Sequence, residues 1–366
     1  MGIRIEPFAE AYSPAVREFN NRVRGRSGAF EFPETASPEW LPPAPGRSIF
    51  QEQFLAIDRG EICGGYVLKH QKFAFRGAIR SIACYHSALS EGIAEPRYED
   101  IADMLLDDAL RRQPYLYAIE PQRTPLPEWK WTGLSRKYRI VHSARFLQNM
   151  QSLRSTPGRR FALSLAALTG VGWAGVSLYQ RLHGKAKPIP PVTVDFFDNF
   201  GAWTDELWAR CAPQYPFAAV RDSETLAVLY PGGKFLRMKV ASAGKLVGWV
   251  VALDTQMQWN AQFGDIRLGT ILDCLALPEH APQVIAAARR VLERRGVDLI
   301  ICDHSHPVWT SALSDAGLLS GEPNLYFGCS PALTIELQRT EAWESAFLMR
   351  CDGNMRALAE FAHTLL

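Results

Sequence analysis

The chain has 366 residues, of which 47% are hydrophobic, 11% aromatic and 21% charged. That length favours two domains, and that composition excludes wholesale disorder, a collagen-like fibre and a polytopic membrane protein. Forty Lys and Arg against 38 Asp and Glu give a formal charge of +2, too balanced for a protein that binds nucleic acid along its whole length.

The first residues carry an acid, Glu6, where a secretory signal would need an apolar run, so a cytoplasmic protein is expected. Phe54–Ile57 leads into Asp58-Arg59-Gly60-Glu61 and a second apolar run to Val67, the pattern of a β-hairpin. Next comes an amphipathic helix with Ile101, Leu105, Leu106 and Ala109 on one face and Asp103, Asp107 and Asp108 off it. It closes on Arg111-Arg112, which suit the negative end of the helix dipole. A short apolar strand, Tyr115–Ile119, follows, then a predicted helix with a Gly-Leu exit at Trp129–Leu134.

From Trp129 to Val194 there is no Asp or Glu but there are eleven basic residues, so the rest of the chain carries −9. Within that stretch Phe161–Tyr179 is nineteen residues without a charge, flanked by Arg159-Arg160 and Arg181. Its length would just cross a hydrocarbon layer. Its glycines and its positive charge at both ends argue against a span and leave two other readings. One is a helix buried between domains; the other is a helix lying on an anionic membrane surface. Pro188–Pro191 then reads as a stiff boundary.

Beyond it the pattern returns. Phe235–Ala241 and Leu246–Val251 flank a turn at Ala243-Gly244-Lys245, and Val284, Ile285, Ala288, Val291 and Leu292 share a helix face that closes on Arg294-Arg295. Val297–Cys302 is a strand, and Leu313–Leu318 a helix end with a Gly-Leu exit. Gly60 and Gly244 are 184 residues apart, and so are Gly133 and Gly317. We read a duplicated α+β unit of order β-α-β-β-β-α-β-α-β, with domains at 1–150 and 191–366 and a basic, apolar linker helix region at 151–190. The seven cysteines (63, 84, 211, 274, 302, 329 and 351) are scattered without metal-ligand spacing. They are expected to be buried thiols in a reducing compartment.

The order of these elements resembles the GNAT (Gcn5-related) acyltransferase superfamily over roughly residues 3–145 and 192–335. It is most similar to the tandem GNAT-like proteins of bacterial exopolysaccharide and envelope-glycan biosynthesis. The strings that carry the resemblance are Ser90-Glu91-Gly92-Ile93, Phe146-Leu147-Gln148-Asn149 with Ser152-Leu153-Arg154, Ser305–Trp309, Ala316-Gly317-Leu318 and Gly321–Asn324. The resemblance implies two tandem domains, each a mixed, mostly antiparallel sheet flanked by helices. It also implies acyl-CoA as co-substrate, held between two splayed parallel strands with its pyrophosphate on the next helix N-terminus. No metal is implied.

By that resemblance the strand Gly269–Leu277 runs into the donor-binding turn, with Leu275, Ala276, Leu277, His280 and Ala281 as candidate acyl-CoA contacts. The family's glycine-rich loop is missing there and at Pro96–Asp100. Asp273 is the candidate general base, since an apolar run raises a carboxyl toward a useful pKa. The structural alternative is an Asp that bonds a neighbouring side chain. Leu313 and Trp129 stand where the family carries an acidic tyrosine, so Tyr326 is a candidate substitute or a core tyrosine. Alternation places His304 and His306 on one side of an extended segment, as a relay or acceptor site, or as a turn. Trp309, Glu91 and Arg97 are candidate acceptor contacts. Tyr85 and His86 hold the matching stretch of the first half, which has no acid and is expected to be a degenerate copy.

The leading expectation is an acyl-CoA-dependent N-acyltransferase acting on an amino group of a glycan or envelope precursor, peripheral to the inner membrane face through residues 129–194. A FemX-like transferase using aminoacyl-tRNA is an alternative that would place RNA on the basic stretch. A non-catalytic scaffold in polysaccharide assembly is another.

Overall fold

The computed structural model describes residues 2–26, 31–35, 41, 47, 49–121, 126, 128–154, 156–184, 186–260 and 262–354. The first half contains β1 (Arg4–Pro7), α1 (Ser13–Val23), β2 (Ile49–Asp58), β3 (Glu61–Phe75), β4 (Ala78–Ser90), α2 (Ile101–Arg112), β5 (Leu116–Glu120), β6 (Lys130–Gly133), β7 (Ser135–Ile140) and α3 (Ser143–Asn149). Two helices, α4 (Pro157–Leu168) and α5 (Val171–His183), join it to the second half. That half begins with β8 (Thr193–Phe196), α6 (Ala202–Cys211), β9 (Phe217–Ala219), α7 (Ser223–Leu229), β10 (Leu236–Ser242), β11 (Lys245–Gln256), β12 (Arg267–Ala276) and α8 (Ala281–Arg294). It ends with β13 (Leu299–His304), α9 (Pro307–Asp315), β14 (Leu319–Gly321), β15 (Tyr326–Cys329), α10 (Pro331–Arg339) and β16 (Ala346–Phe347).

The two hairpins correspond in detail. Arg59 and Gly60 (φ 52° and 91°) and Ala243 and Gly244 (46° and 75°) all take left-handed backbone, as a two-residue primed turn requires. Each hairpin also shifts register at the matching place, between Ala56 and Ile57 and between Val240 and Ala241. The expected helices are present and bury the expected faces. Asp108 departs from the pattern. It is buried and accepts hydrogen bonds from the Tyr66 hydroxyl at 2.6 Å and Arg112 Nε at 2.7 Å.

The correspondence fails at the second pair of glycines. Lys130–Gly133 is a strand rather than the expected helix, whereas Gly317 (φ 80°) follows the C-terminus of α9. The register of 184 residues therefore belongs to the hairpins and not to the Gly-Leu exits.

The sheets exchange strands. One has the order β1-β2-β3-β4-β5-β15-β6, with β9 pairing with β3 beyond the end of β2 and β16 pairing with β9; the other is β14-β7-β13-β12-β11-β10-β8. Thus β7 leaves the first half to pair antiparallel with β13 and β14, and β15 leaves the second to pair antiparallel with β5 and β6. Each swapped strand runs on into a helix, α3 or α10, that remains with its new sheet: Phe146 and Leu147 pack with Leu299 and Ile301, and Leu333 and Leu337 with Tyr117 and Ile119. All seven cysteines are buried and free.

The uncharged stretch is neither one helix nor buried. Gly170, left-handed at φ 76°, divides it into α4 and α5, which meet at 88° and contain no buried residue. No single helix among the described residues is long and apolar enough to cross a membrane.

Candidate active site

In each sheet a parallel pair of strands is joined through a single intervening helix, β4 with β5 through α2 and β12 with β13 through α8, and both pairs part. β12 and β13 are matched from Leu268 with Leu299 to Ile271 with Cys302, and then β12 continues to Ala276 without that partner. β4 and β5 are matched only at Ala83 with Leu116 and Cys84 with Tyr117, although β4 continues to Ser90. An irregularity lies at each parting point. On β12, Leu272 is skipped in the pairing with β11; on β4, Ser87 takes φ 56° where the register with β3 shifts. Such bulges add local twist, which carries the strand away from its neighbour.

The opening between β12 and β13 is filled by the chain itself. His304 forms a bridge with Met349, and the Met349 sulfur lies 3.6 Å from Cys274 Sγ. Behind them Arg221 donates to Asp273 Oδ1 at 2.8 Å and to Asp352 Oδ2 at 3.0 Å, while the Tyr230 hydroxyl donates to Asp273 Oδ2 at 2.9 Å. All four of these residues are buried. Burial pushes the Asp273 carboxyl up, against the pull of Arg221. Both carboxylate oxygens are nonetheless occupied by donors, and no surface is left for an amine to approach. Tyr215 donates to the Ala276 carbonyl at 2.7 Å, on the part of β12 that has lost β13.

The filling segment then crosses to the other sheet. Lys69 on β3 is buried and donates to the carbonyls of Cys351, Asp352 and Gly353 at 3.2, 2.7 and 2.7 Å. Burial lowers its pKa, and three carbonyl acceptors hold the ammonium in place. Tyr117 on β5 donates to the Asp352 carbonyl at 2.6 Å. A Cβ at Gly353 would come within 2.9 Å of Ile119, and Asn354 Nδ2 donates to Ser87 Oγ at 3.5 Å. The described part of the segment therefore reaches the opening between β4 and β5.

That opening has a different lining. Tyr85 and His86 precede the Ser87 irregularity, with His86 Nδ1 3.0 Å from Ser87 Oγ. Glu120 ends β5 opposite Tyr326 of β15, and paired residues on adjacent strands project to one face. Burial and the Glu120 charge both raise the Tyr85 phenol above its ordinary value.

Neither a protein-family model nor a curated protein matches the sequence. Solved structures do match in shape. Saccharomyces cerevisiae N-myristoyltransferase with bound myristoyl-CoA superimposes with a TM-score of 0.53 at 10% identity, over 90% of this chain and 82% of that one. A GCN5-related N-acetyltransferase from Anabaena variabilis gives 0.52 at 10% identity, over 89% and 72%. The fold is GNAT-like. At this identity the likeness is one of architecture, a two-domain arrangement of mixed sheets flanked by helices.

Within that GNAT-like frame the remaining candidates scatter. His304 is fully buried, accepts from the His306 backbone N–H at 3.0 Å and stacks on Trp309. Burial holds it well below its usual pKa and lowers His306 to about 4, so both rings are neutral at pH 7. Trp309 is buried and donates to the Tyr215 hydroxyl at 2.9 Å. Leu275, Ala276 and Ala281 are buried, Leu277 is half-buried, and His280 Nδ1 lies 2.8 Å from Gln283 Oε1. Glu91 is buried in an ion pair with Arg22 at 2.7 Å, and Arg97 is exposed over the Tyr98 ring. Tyr326 belongs to the other sheet, far in the fold from Asp273. Sequence reasoning missed Arg221 and Asp352; Arg221 stands 52 residues from Asp273 and 131 from Asp352 in the chain. A single arginine after the apolar run Phe217–Val220 was their one visible sign.

Proposed function

We propose that the chain is an acyl-CoA-dependent N-acyltransferase whose donor groove lies between β4 and β5, in the half expected to be degenerate. One observation carries this: β4 and β5 pair at two positions and then part, while the equivalent opening between β12 and β13 holds residues of the chain itself. Beyond Cys84 and Tyr117 the described parts of β4 and β5 no longer pair with each other, and an extended pantetheine amide chain is suited to pair with strand backbone groups in such an opening. The bound thioester supplies the acyl carbon. The acceptor amine forms the new C–N bond there, the C–S bond breaks, and the amine loses a proton.

We assign proton removal to His86, the buried imidazole at the parting point, whose Nδ1 lies 3.0 Å from Ser87 Oγ. The departing sulfur takes its proton from water, because Tyr326 projects with Glu120 to the face of the sheet that carries Tyr85, opposite to His86. The acceptor we assign is an amino group on a glycan or envelope precursor. The sequence resemblance and the basic stretch 129–194 support that class.

The turn before α2 favours a second reading, a non-catalytic scaffold. It carries Glu91, Glu95, Glu99 and Asp100 and no glycine-rich loop, a poor setting for a pyrophosphate. Calorimetry with acetyl-CoA and myristoyl-CoA separates the two. Heat of binding with both or either is expected, and its absence with both would leave the scaffold. In turnover, His86→Ala is expected to lower kcat by about 100-fold or more with donor binding retained. An unchanged kcat would remove His86 from the reaction.

A further inference from the structure

Helices α4 and α5 are amphipathic the wrong way round for a soluble protein. On α4, Leu163 and Ala167 pack inward against Phe146, Leu147 and Met150. On α5, Gly172 faces inward so closely that a Cβ would lie 2.4 Å from a Leu147 methyl, and Gln180 Oε1 accepts from the Ile140 backbone N–H at 3.1 Å. Apart from Leu163, small and polar residues make these inner contacts. The large apolar ones point out: Phe161, Leu165 and Leu168 on α4, at spacings of four and three residues, and Val171, Leu178 and Leu182 on α5, at seven and four. Phe161, Leu168, Val171 and Leu182 are 73%, 77%, 67% and 71% exposed, and the two stripes run up to the bend at Gly170 from either side. Trp173, beside the bend, is 64% exposed. A contiguous apolar face of this kind marks a surface that is covered in use.

Charge identifies the cover. Arg159 and Arg160 open α4 and Arg181 lies in the last turn of α5; none pairs with an acid among the described residues. No Asp or Glu occurs anywhere from Trp129 to Val194. A second copy docking face to face would bring the same cations together, because a two-fold interface places each patch against itself. An anionic bilayer surface supplies apolar depth for the stripe and negative charge for its rim. We infer that the α4–α5 elbow seats this protein on the surface of an anionic lipid bilayer, lying in the interface without crossing it. At about 1.5 Å per residue each arm is about 18–20 Å long, short of the hydrocarbon thickness and suited to lying flat. This inference concerns a surface separate from the donor groove.

Co-sedimentation of the full chain with vesicles tests it, using phosphatidylcholine containing phosphatidylglycerol against phosphatidylcholine alone. Roughly tenfold or greater preference for the anionic vesicles is expected, weakening with salt. Arg159→Glu with Arg160→Glu should remove that preference. Phe161→Ser, Leu168→Ser and Val171→Ser together should abolish binding while circular dichroism and melting temperature stay unchanged, because most of each residue's surface is exposed. Equal partition into both vesicle types, or the same triple variant converting a dimer to a monomer in light scattering, would overturn the inference and, in the second case, assign the face to another copy.

Discussion

A buried charge is expensive unless it is paired, and the Arg221–Asp273–Asp352 cluster shows what that cost secures here. Three side chains from β12, the segment after β9 and the end of the described chain meet with almost none of their surface in water. Removing one partner of such a pair costs about 3–5 kcal/mol, because its counter-charge remains buried. Asp273→Asn is therefore expected to lower stability by about that amount in urea unfolding. Acyl transfer, measured below the reduced melting temperature, should be retained. Loss of turnover at unchanged stability would instead make Asp273 the base and move the reaction to the second half. His304 and His306 give this region a pH dependence of definite sign. Their native pKa values lie below the ordinary 6.5, about 4 for His306, so the unfolded chain binds protons that the native one refuses. Stability from this source is complete above about pH 6.5 and is lost as pH falls toward 4, on the order of 2–3 kcal/mol for His306. Chemical denaturation at pH 7, 5.5 and 4.5 should show the fall, and His306→Gln should flatten it.

At the scale of elements, the hairpins and the helices α2 and α8 were legible because their signals are local. A Gly in a two-residue turn and an apolar stripe of helical period need no knowledge of a partner. Lys130–Gly133 misled for the opposite reason. Four residues with two large aromatics nearby carry no reliable period, and pairing with β15, nearly 200 residues on, decides their state. The site was less legible still, since the feature that closes the β12–β13 opening is a distant segment, Ala346–Asp352, with no motif of its own. What holds that segment is Lys69, expected from nothing in its surroundings on a strand of largely apolar residues. Lys69→Met keeps the volume but deprives three carbonyls of their donor, with an expected loss of about 3 kcal/mol. Limited proteolysis should then cut beyond α10 in the variant and not in the wild type. Equal protection in both would mean that the bridge of Met349 with His304 suffices to hold the segment.

At the scale of the whole molecule, the exchange of β7 and β15 turns two GNAT-like units into one folding body. Separate domains with modest interfaces unfold independently, and probes placed in each then report different transitions. Here the first sheet is missing a strand between β5 and β6 unless the second half provides it, and the second sheet is missing one between β13 and β14 unless the first half does. An isolated half would expose two long unpaired strand edges, a setting for aggregation. We expect residues 1–150 and 191–366 expressed alone to be insoluble or unfolded. We expect the full chain to unfold in urea in one transition, with coincident far-ultraviolet dichroism and tryptophan fluorescence. Tryptophans report from both sheets, Trp129 and Trp131 in the first and Trp249 and Trp309 in the second, so the coincidence tests coupling between them. Two resolved transitions would show that the exchanged strands contribute little, and the proposed donor opening between β4 and β5 would then have to be stable within the first half alone.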